Sequence, residues 1–133
     1  MNTSFNPLPP GYTHVQHTFE PVFDEHSRIL ILGSFPSVKS REIQFYYGHP
    51  QNRFWKLMAQ LLDVPVPQSI DEKKTMLLTH GLALWDVIAS CDIKGSSDSS
   101  IKNAVPADIS RILKAADIQT IIANGGTAFR LYG

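Results

Sequence analysis

The stretch Ile29-Leu30-Ile31-Leu32-Gly33-Ser34-Phe35-Pro36-Ser37 decides the fold. Four consecutive aliphatic residues leave no polar face, so Ile29 to Leu32 reads as a strand buried on both sides, the pattern of a parallel sheet rather than a half-exposed antiparallel one. The strand stops abruptly at small residues. A little further on the chain reads Tyr46-Tyr47-Gly48-His49-Pro50-Gln51-Asn52-Arg53-Phe54-Trp55, a polar and aromatic cluster at the start of a helical pattern. Open α/β sheets bind ligands just beyond the carboxyl ends of their strands. The region from Ile29 to Trp55 is therefore expected to build a ligand site.

Working outward, Pro50 fits a first helical turn, and Phe54, Met58, Leu61 and Leu62 recur at helical spacing, which predicts a helix over about 50–62. Ser69 and Glu72 stand in the order of a capping box before a second helix, with Leu77 and Leu78 on its apolar side and Gly81 as its stop. Leu82 to Ile88 is the next predicted strand, followed by a polar loop, Lys94 to Ser100, too short to link two domains. Pro106 is expected to open a third helix that carries Ile109, Ile112, Leu113 and Ala116 on one face, and Gln119 to Ala123 is the third strand. Before the first strand, residues 1–12 read as a proline-rich surface tail, and Val15 to Phe23 as a short extended piece broken by Pro21. Strands alternating with helices imply a three-layer α/β/α fold with a central parallel sheet and right-handed crossovers. The length of 133 residues suits a single domain. After Asn124-Gly125-Gly126, the run Thr127 to Gly133 begins a helix and ends within two turns. That leaves an uncovered sheet edge and the expectation that a C-terminal strand and helix are missing.

Composition narrows the function. Hydrophobic residues make up 43% and charged residues 18%, and the sequence has no apolar run approaching the ~20 residues of a membrane span. The amino terminus is polar rather than basic and then apolar, so no signal peptide is read and the cytoplasm is the expected location. A single cysteine, Cys91, can form no internal disulfide or thiolate cluster. His14 and His17 lack acidic or cysteine neighbours in sequence, so no metal is expected. Twelve basic residues balance twelve acidic ones, which removes the broad positive surface common in nucleic-acid binders. Any such contact has to be local, through some of Lys39, Arg41, Arg53 and Lys56.

These residues carry a resemblance. Leu32-Gly33-Ser34-Phe35-Pro36-Ser37, Tyr46 to Trp55, Gly81 to Ile88 and, more weakly, Gly95-Ser96-Ser97-Asp98-Ser99 resemble motifs of the uracil-DNA glycosylase superfamily, most of all its deoxyinosine (hypoxanthine-DNA) glycosylase branch. The His-Pro-x-Asn-Arg-Phe-Trp string is the specific part, being similar to the same region of mismatch-specific uracil-DNA glycosylases. The resemblance implies a monofunctional enzyme that hydrolyses the N-glycosidic bond of a deaminated base in DNA, chiefly hypoxanthine and also uracil. It implies no cofactor, a DNA partner, a monomer and an association with the nucleoid. Many relatives carry Asn or Asp where this chain has Phe35, and in the deoxyinosine branch the catalytic amide is assigned to the second motif, which points to Asn52. A serine- and proline-containing loop of the family would fall beyond Gly133.

The chemistry of the residues is compatible with this. Breaking an N-glycosidic bond produces a sugar cation and an anionic base, so the site needs an oriented water and donors aimed at the base. An asparagine amide can orient water but cannot deprotonate it, which suits a dissociative reaction. Backbone amides around Ser34 and Phe35, and those near His49 to Asn52, are candidate donors, with Gly33 and Pro36 as further base-contacting residues and Tyr47 as the candidate stacking plate. His49 either touches the base or a phosphate or is a satisfied loop residue. Asp86 either faces a ligand or caps a turn, Ser97 and Asp98 are either pocket or solvated loop, and Asn124 is first a turn former and second a pocket residue. No lysine lies within the motifs, so no Schiff-base lyase step is expected. Two other readings are a base-binding relative that has lost catalysis and a flavodoxin-like small-molecule enzyme. The latter lacks a glycine-rich phosphate loop.

Overall fold

The structure, a computed structural model, describes residues 8–132; most of the tail expected over 1–12 lies outside them. Ile29–Gly33 forms the central strand β2, as its unbroken aliphatic run requires. It is flanked on one side by β3 (Leu82–Asp86) and on the other by β6 (Thr120–Ala123), both parallel to it. The register sets Gly33 opposite Asp86 and Leu32 opposite both Trp85 and Ala123. All three strands thus end together. The outer edge of β3 is partly covered by Val22, which exchanges backbone hydrogen bonds of 2.9 and 2.8 Å with Leu84.

Alternate residues of β2 and β3 face opposite ways and build two cores. Ile31, Leu82 and Leu84 pack with Phe45, Tyr46, Trp55, Ala59, Met76 and Leu77, which brings in helices α2 (Phe54–Leu62) and α3 (Ile70–Thr79). Leu30, Leu32 and Ala83 pack on the other side with Phe35, Ile88, Cys91, Ile93 and Ile112. That second face is covered by α4 (Ser110–Ala115) together with a strand, β4 (Ile88–Ile93), rather than by helices alone. β4 belongs to a small antiparallel sheet in the order β1-β4-β5, with β1 spanning Thr13–Gln16 and β5 Lys102–Pro106.

Several expected boundaries move for identifiable reasons. The strand expected over Leu82 to Ile88 is two strands, because Val87 donates its N–H to the Gly33 carbonyl (2.8 Å) and Ile88 to that of Ser34 (3.2 Å), turning the chain out of one sheet into the other. The helix expected from about Pro50 begins at Phe54, with Arg53 at its N-cap position, since just ahead of it Asn52 Oδ1 takes the Phe54 N–H at 2.8 Å in a local turn. Pro106 does not open a helix. It closes β5, where its missing N–H costs little at a sheet edge, and α4 starts at Ser110. A short helix, α1 (Val38–Ile43), was not foreseen, although Ser37 caps it by accepting the Ser40 N–H. The capping box at Ser69 is as expected, with Ser69 Oγ accepting the Glu72 N–H at 3.1 Å. The last helix, α5, runs over Gly126–Tyr132 and packs against β6. No helix among the described residues is long and apolar enough to cross a membrane.

Candidate active site

The carboxyl ends of β2, β3 and β6 open into a cavity of about 280 Å³, near the lower end of small-molecule sites. Its floor is Gly33. A Cβ placed there would stand 2.5 Å from Asp86 Oδ1 and 3.0 Å from the Tyr47 hydroxyl, so only glycine lets these two groups converge. Ser34, Phe35 and Pro36 continue the wall from the loop after β2, and Asn124 closes it from the end of β6.

Tyr47 reaches the cavity through an unusual backbone. Its φ is +52°, in the left-handed region that costs a bulky residue roughly 1–2 kcal/mol. Neighbouring contacts hold it there. The Tyr46 hydroxyl donates to the Glu20 carbonyl (2.8 Å), the Trp55 indole N–H donates to the Tyr46 carbonyl (3.1 Å), and the Gly48 N–H donates to Ser40 Oγ (2.9 Å). The Tyr47 ring lies on Phe54 with centroids 4.0 Å apart and planes 20° from parallel, and Asn124 Nδ2 donates to its hydroxyl at 2.9 Å. The left-handed turn lets both tyrosines touch the cavity, which an extended pair could not do. Tyr46 nevertheless serves mainly as core, 2% exposed. Burial and the nearby Asp86 push the Tyr47 phenol well above its ordinary range, so it remains a proton donor at any physiological pH.

Asp86 is the buried carboxyl of the site. Its Oδ2 lies 2.8 Å from His17 Nε2, and both side chains are almost entirely enclosed. Burial pushes the Asp86 carboxyl upward, the His17 hydrogen bond and charge pull it back, and Asp98 pushes it further up. His17 was read from sequence only as half of a weak metal hint with His14. The two occupy different places: His14 Nδ1 meets Asp92 at 2.8 Å on the antiparallel sheet, while the His17 ring packs beside Phe19, Phe35 and Tyr46. No cluster of three or more metal-ligating side chains exists among the described residues.

The serine-rich loop between β4 and β5 docks on the cavity. Ser34 Oγ donates to Asp98 Oδ2 at 2.6 Å, and Ser96 Oγ accepts the Val38 N–H at 2.8 Å. Ser96 and Asp98 line the cavity, whereas Ser97, between them, faces Ser99 instead. Arg41 donates to the Gly95 carbonyl at 2.9 Å and lies over the Phe35 ring, which ties the same loop to α1 and withdraws this cation from the outer surface. Cys91 is fully buried, its thiol pushed up to about 11 by burial, and is inert.

Of the residues singled out from sequence, Gly33, Ser34, Phe35, Pro36, Tyr47, Asn52, Asp86 and Asn124 all border the cavity. His49 does not; it is exposed, and its Nδ1 accepts the Gln51 N–H at 3.1 Å. Asn52 stands at the mouth. It borders both the cavity and an open groove that carries Arg53 and Lys56. Its Oδ1 spends one lone pair on Phe54, leaving the second and both Nδ2 protons for a water or a ligand. Sequence reasoning missed His17, Ser40 and Ser96 as neighbours of the site, and of the pair Ser97 and Asp98, left open between pocket and solvated loop, it is Asp98 that borders the cavity. For His17 a signal existed, since Val15, His17 and Phe19 alternate as an inward-facing set.

Comparison with known proteins identifies the family. The family model described as the uracil DNA glycosylase superfamily matches residues 20–133. A hypoxanthine DNA glycosylase of Methanosarcina acetivorans is 36% identical over 116 residues, which cover 86% of this chain and 73% of the relative. Its counterpart in Methanosarcina barkeri is 37% identical over 111 residues, or 80% of this chain and 69% of that one. A solution NMR structure of a protein from M. acetivorans superposes with a TM-score of 0.75 at 33% identity, covering 86% of this chain and 72% of the other. The parallel sheet, the cavity at its strand ends and these matches lead to one assignment: the chain belongs to the uracil DNA glycosylase superfamily.

Proposed function

We propose that the protein is a monofunctional DNA glycosylase that removes deaminated bases, chiefly hypoxanthine and also uracil, by hydrolysing the N-glycosidic bond. The observation that carries this reading is the position of Asn52 on the border between the cavity and the groove of Arg53 and Lys56. An extruded base would fill the cavity and the phosphates on either side would follow the groove. The glycosidic bond would then fall beside Asn52. A nucleotide that has left the duplex is read in such a pocket by stacking and by hydrogen bonds to its pairing edge.

In that arrangement the Asn52 amide holds a water on the far face of the sugar and stabilises the developing cation, without acting as a base. Tyr47 supplies a neutral hydroxyl toward the departing base, and the amides around Ser34 and Phe35 add further donors. No lysine lines the cavity among the described residues, which supports hydrolysis over release through a covalent imine.

Single-turnover cleavage of oligonucleotides carrying hypoxanthine, uracil, xanthine or a thymine mismatch, with alkali to reveal abasic sites, tests the reading. Hypoxanthine release should be fastest, and Asn52→Ala should slow it by about 10²–10³-fold with folding and DNA affinity nearly unchanged. His49→Ala should lose less than about tenfold, by the same scale of effects. Equal losses in both variants, or release of no base by the folded wild-type protein, would overturn the assignment.

A further inference from the structure

The antiparallel sheet β1-β4-β5 has an outer face that the chemistry of the cavity does not use. Val15, Cys91 and Ile93 point inward to the second core, so their strand neighbours Tyr12, His14, Asp92 and Lys94 point outward. Lys102, paired with Asp92, joins them from β5, a strand exposed along its whole length. A tight turn delivers Tyr12 to this face. Pro10 and Gly11 occupy its centre, Gly11 at φ +84°, and the Tyr12 N–H donates to the Pro9 carbonyl at 3.1 Å.

Two ammonium groups converge on the Tyr12 ring, Lys94 Nζ 5.1 Å and Lys102 Nζ 5.2 Å from its centroid. Like charges gathered at one ring repel each other, and no carboxylate among the described residues pairs with either. The one acid on the three strands, Asp92, is already engaged, by His14 Nδ1 at 2.8 Å and by Asn103 Nδ2 at 2.7 Å. The face is therefore aromatic and cationic with no counter-charge of its own. It also adjoins the candidate active site. Lys94 opens the loop whose Ser96 and Asp98 border the cavity, and that loop is fixed at its base, where the Lys94 N–H donates to Ser100 Oγ (2.8 Å) and the Ser97 N–H to the Lys94 carbonyl (3.0 Å). No residue of this loop lines the groove of Arg53 and Lys56, so the sheet lies beyond a different wall of the cavity.

We infer that the outer face of β1-β4-β5 is a second nucleic-acid contact, which takes the single strand leaving the cavity over the Lys94–Ser100 loop, with a base stacked on Tyr12 and its phosphates met by Lys94 and Lys102. Sheets that hold single strands present this combination, a ring for the base and cations for the backbone. The spacing fits as well. Tyr12 and His14, two residues apart on one face, stand about 7 Å from each other along the strand, a step that one unstacked nucleotide spans. An acidic protein segment would satisfy the two lysines but would have no use for the ring between them.

The inference rests on the proposed function only in taking DNA as the strand that reaches the loop, and its test needs no deaminated base. Binding of an oligothymidine of about 15 nucleotides, long enough to cross the sheet, would be followed by fluorescence anisotropy. Tyr12→Ala should weaken it by about 5- to 100-fold, the scale of one stacked base, whereas Tyr12→Phe, which keeps the ring, should stay within about twofold of the wild type. Lys94→Gln combined with Lys102→Gln should weaken the same binding and flatten its dependence on salt. Wild-type affinity in folded Tyr12→Ala would overturn the inference, and should that variant fail to fold, undiminished binding by the folded lysine double variant would do the same. So would capture of a polyglutamate peptide but not of oligothymidine, which would give the face to an acidic protein segment. Tyr12-dependent binding of oligothymidine with no release of hypoxanthine from any oligonucleotide would instead sustain the inference and refute the glycosylase reading.

Discussion

Burial pushes the Asp86 carboxyl above its ordinary range and His17 pulls it only part of the way back. The sign of the linkage follows. A carboxyl whose folded pKa is raised favours the fold while protonated, below its unfolded pKa of about 3.9, and that contribution is lost as pH rises through the folded pKa. Asp86→Asn keeps the shape without the charge, so the melting temperature of this variant should gain on that of the wild type as pH is raised above the unfolded value. A difference that stays flat across this window would mean that His17 fully compensates the burial. His17, Asp98 and the Tyr47 phenol are the titratable groups around the carboxyl and belong in any fit of the profile.

Among the elements, those that announced themselves in sequence were set by local chemistry, and those that did not were set by partners far along the chain. The β2 run, the Ser69 capping box and the apolar stripe of α2 carry their own signals. β4 and β5 do not: Lys102 to Pro106 is exposed throughout, and the two strands pair through register shifts that no periodicity announces. The cavity shows the same division. Gly33, Ser34, Tyr47 and Asn52 lie within 20 residues of one another and were legible as one motif, whereas His17 meets Asp86 across 69 residues and Ser34 meets Asp98 across 64. The loop from Lys94 to Ser100 was readable as polar, with Ser97 and Asp98 open between pocket and solvated loop, because its docking depends on Ser34, Val38 and Arg41 far along the chain. Removing two of its anchors tests that role: Ser96→Ala and Asp98→Ala together should raise amide hydrogen exchange across this loop and weaken binding of a hypoxanthine oligonucleotide. The stability cost should stay near 1–3 kcal/mol, as expected for two part-exposed hydrogen bonds. Unchanged exchange would show that the hairpin holds the loop without them.

For the molecule as a whole, zero net charge limits how DNA can be held. Arg41 is engaged by the Gly95 carbonyl, which leaves Lys39, Arg53 and Lys56 as the exposed cations beside the mouth and the groove. With about three phosphates neutralised, log affinity against log salt should fall with a slope of roughly −3, well short of the −10 of a strongly basic binder. A slope steeper than about −6 would require basic surface well away from this groove. Binding in this molecule then depends more on what fills the cavity than on the backbone that leads to it.

The passage from β3 to β4 has one further consequence. Asp86 is the last residue of β3 in one sheet, Ile88 the first of β4 in the other, and Val87 alone separates them. Because side chains alternate strictly along a strand, adding or deleting one residue anywhere between Leu82 and Asp86 would turn the carboxyl to the opposite face. The same change after Val87 would shift every partner of β4. Point substitutions in this segment can be graded in effect, but a change of length cannot. Lineages of this fold should therefore keep the spacing from Leu82 to Ile93 fixed, a constraint on indels rather than on amino-acid identity.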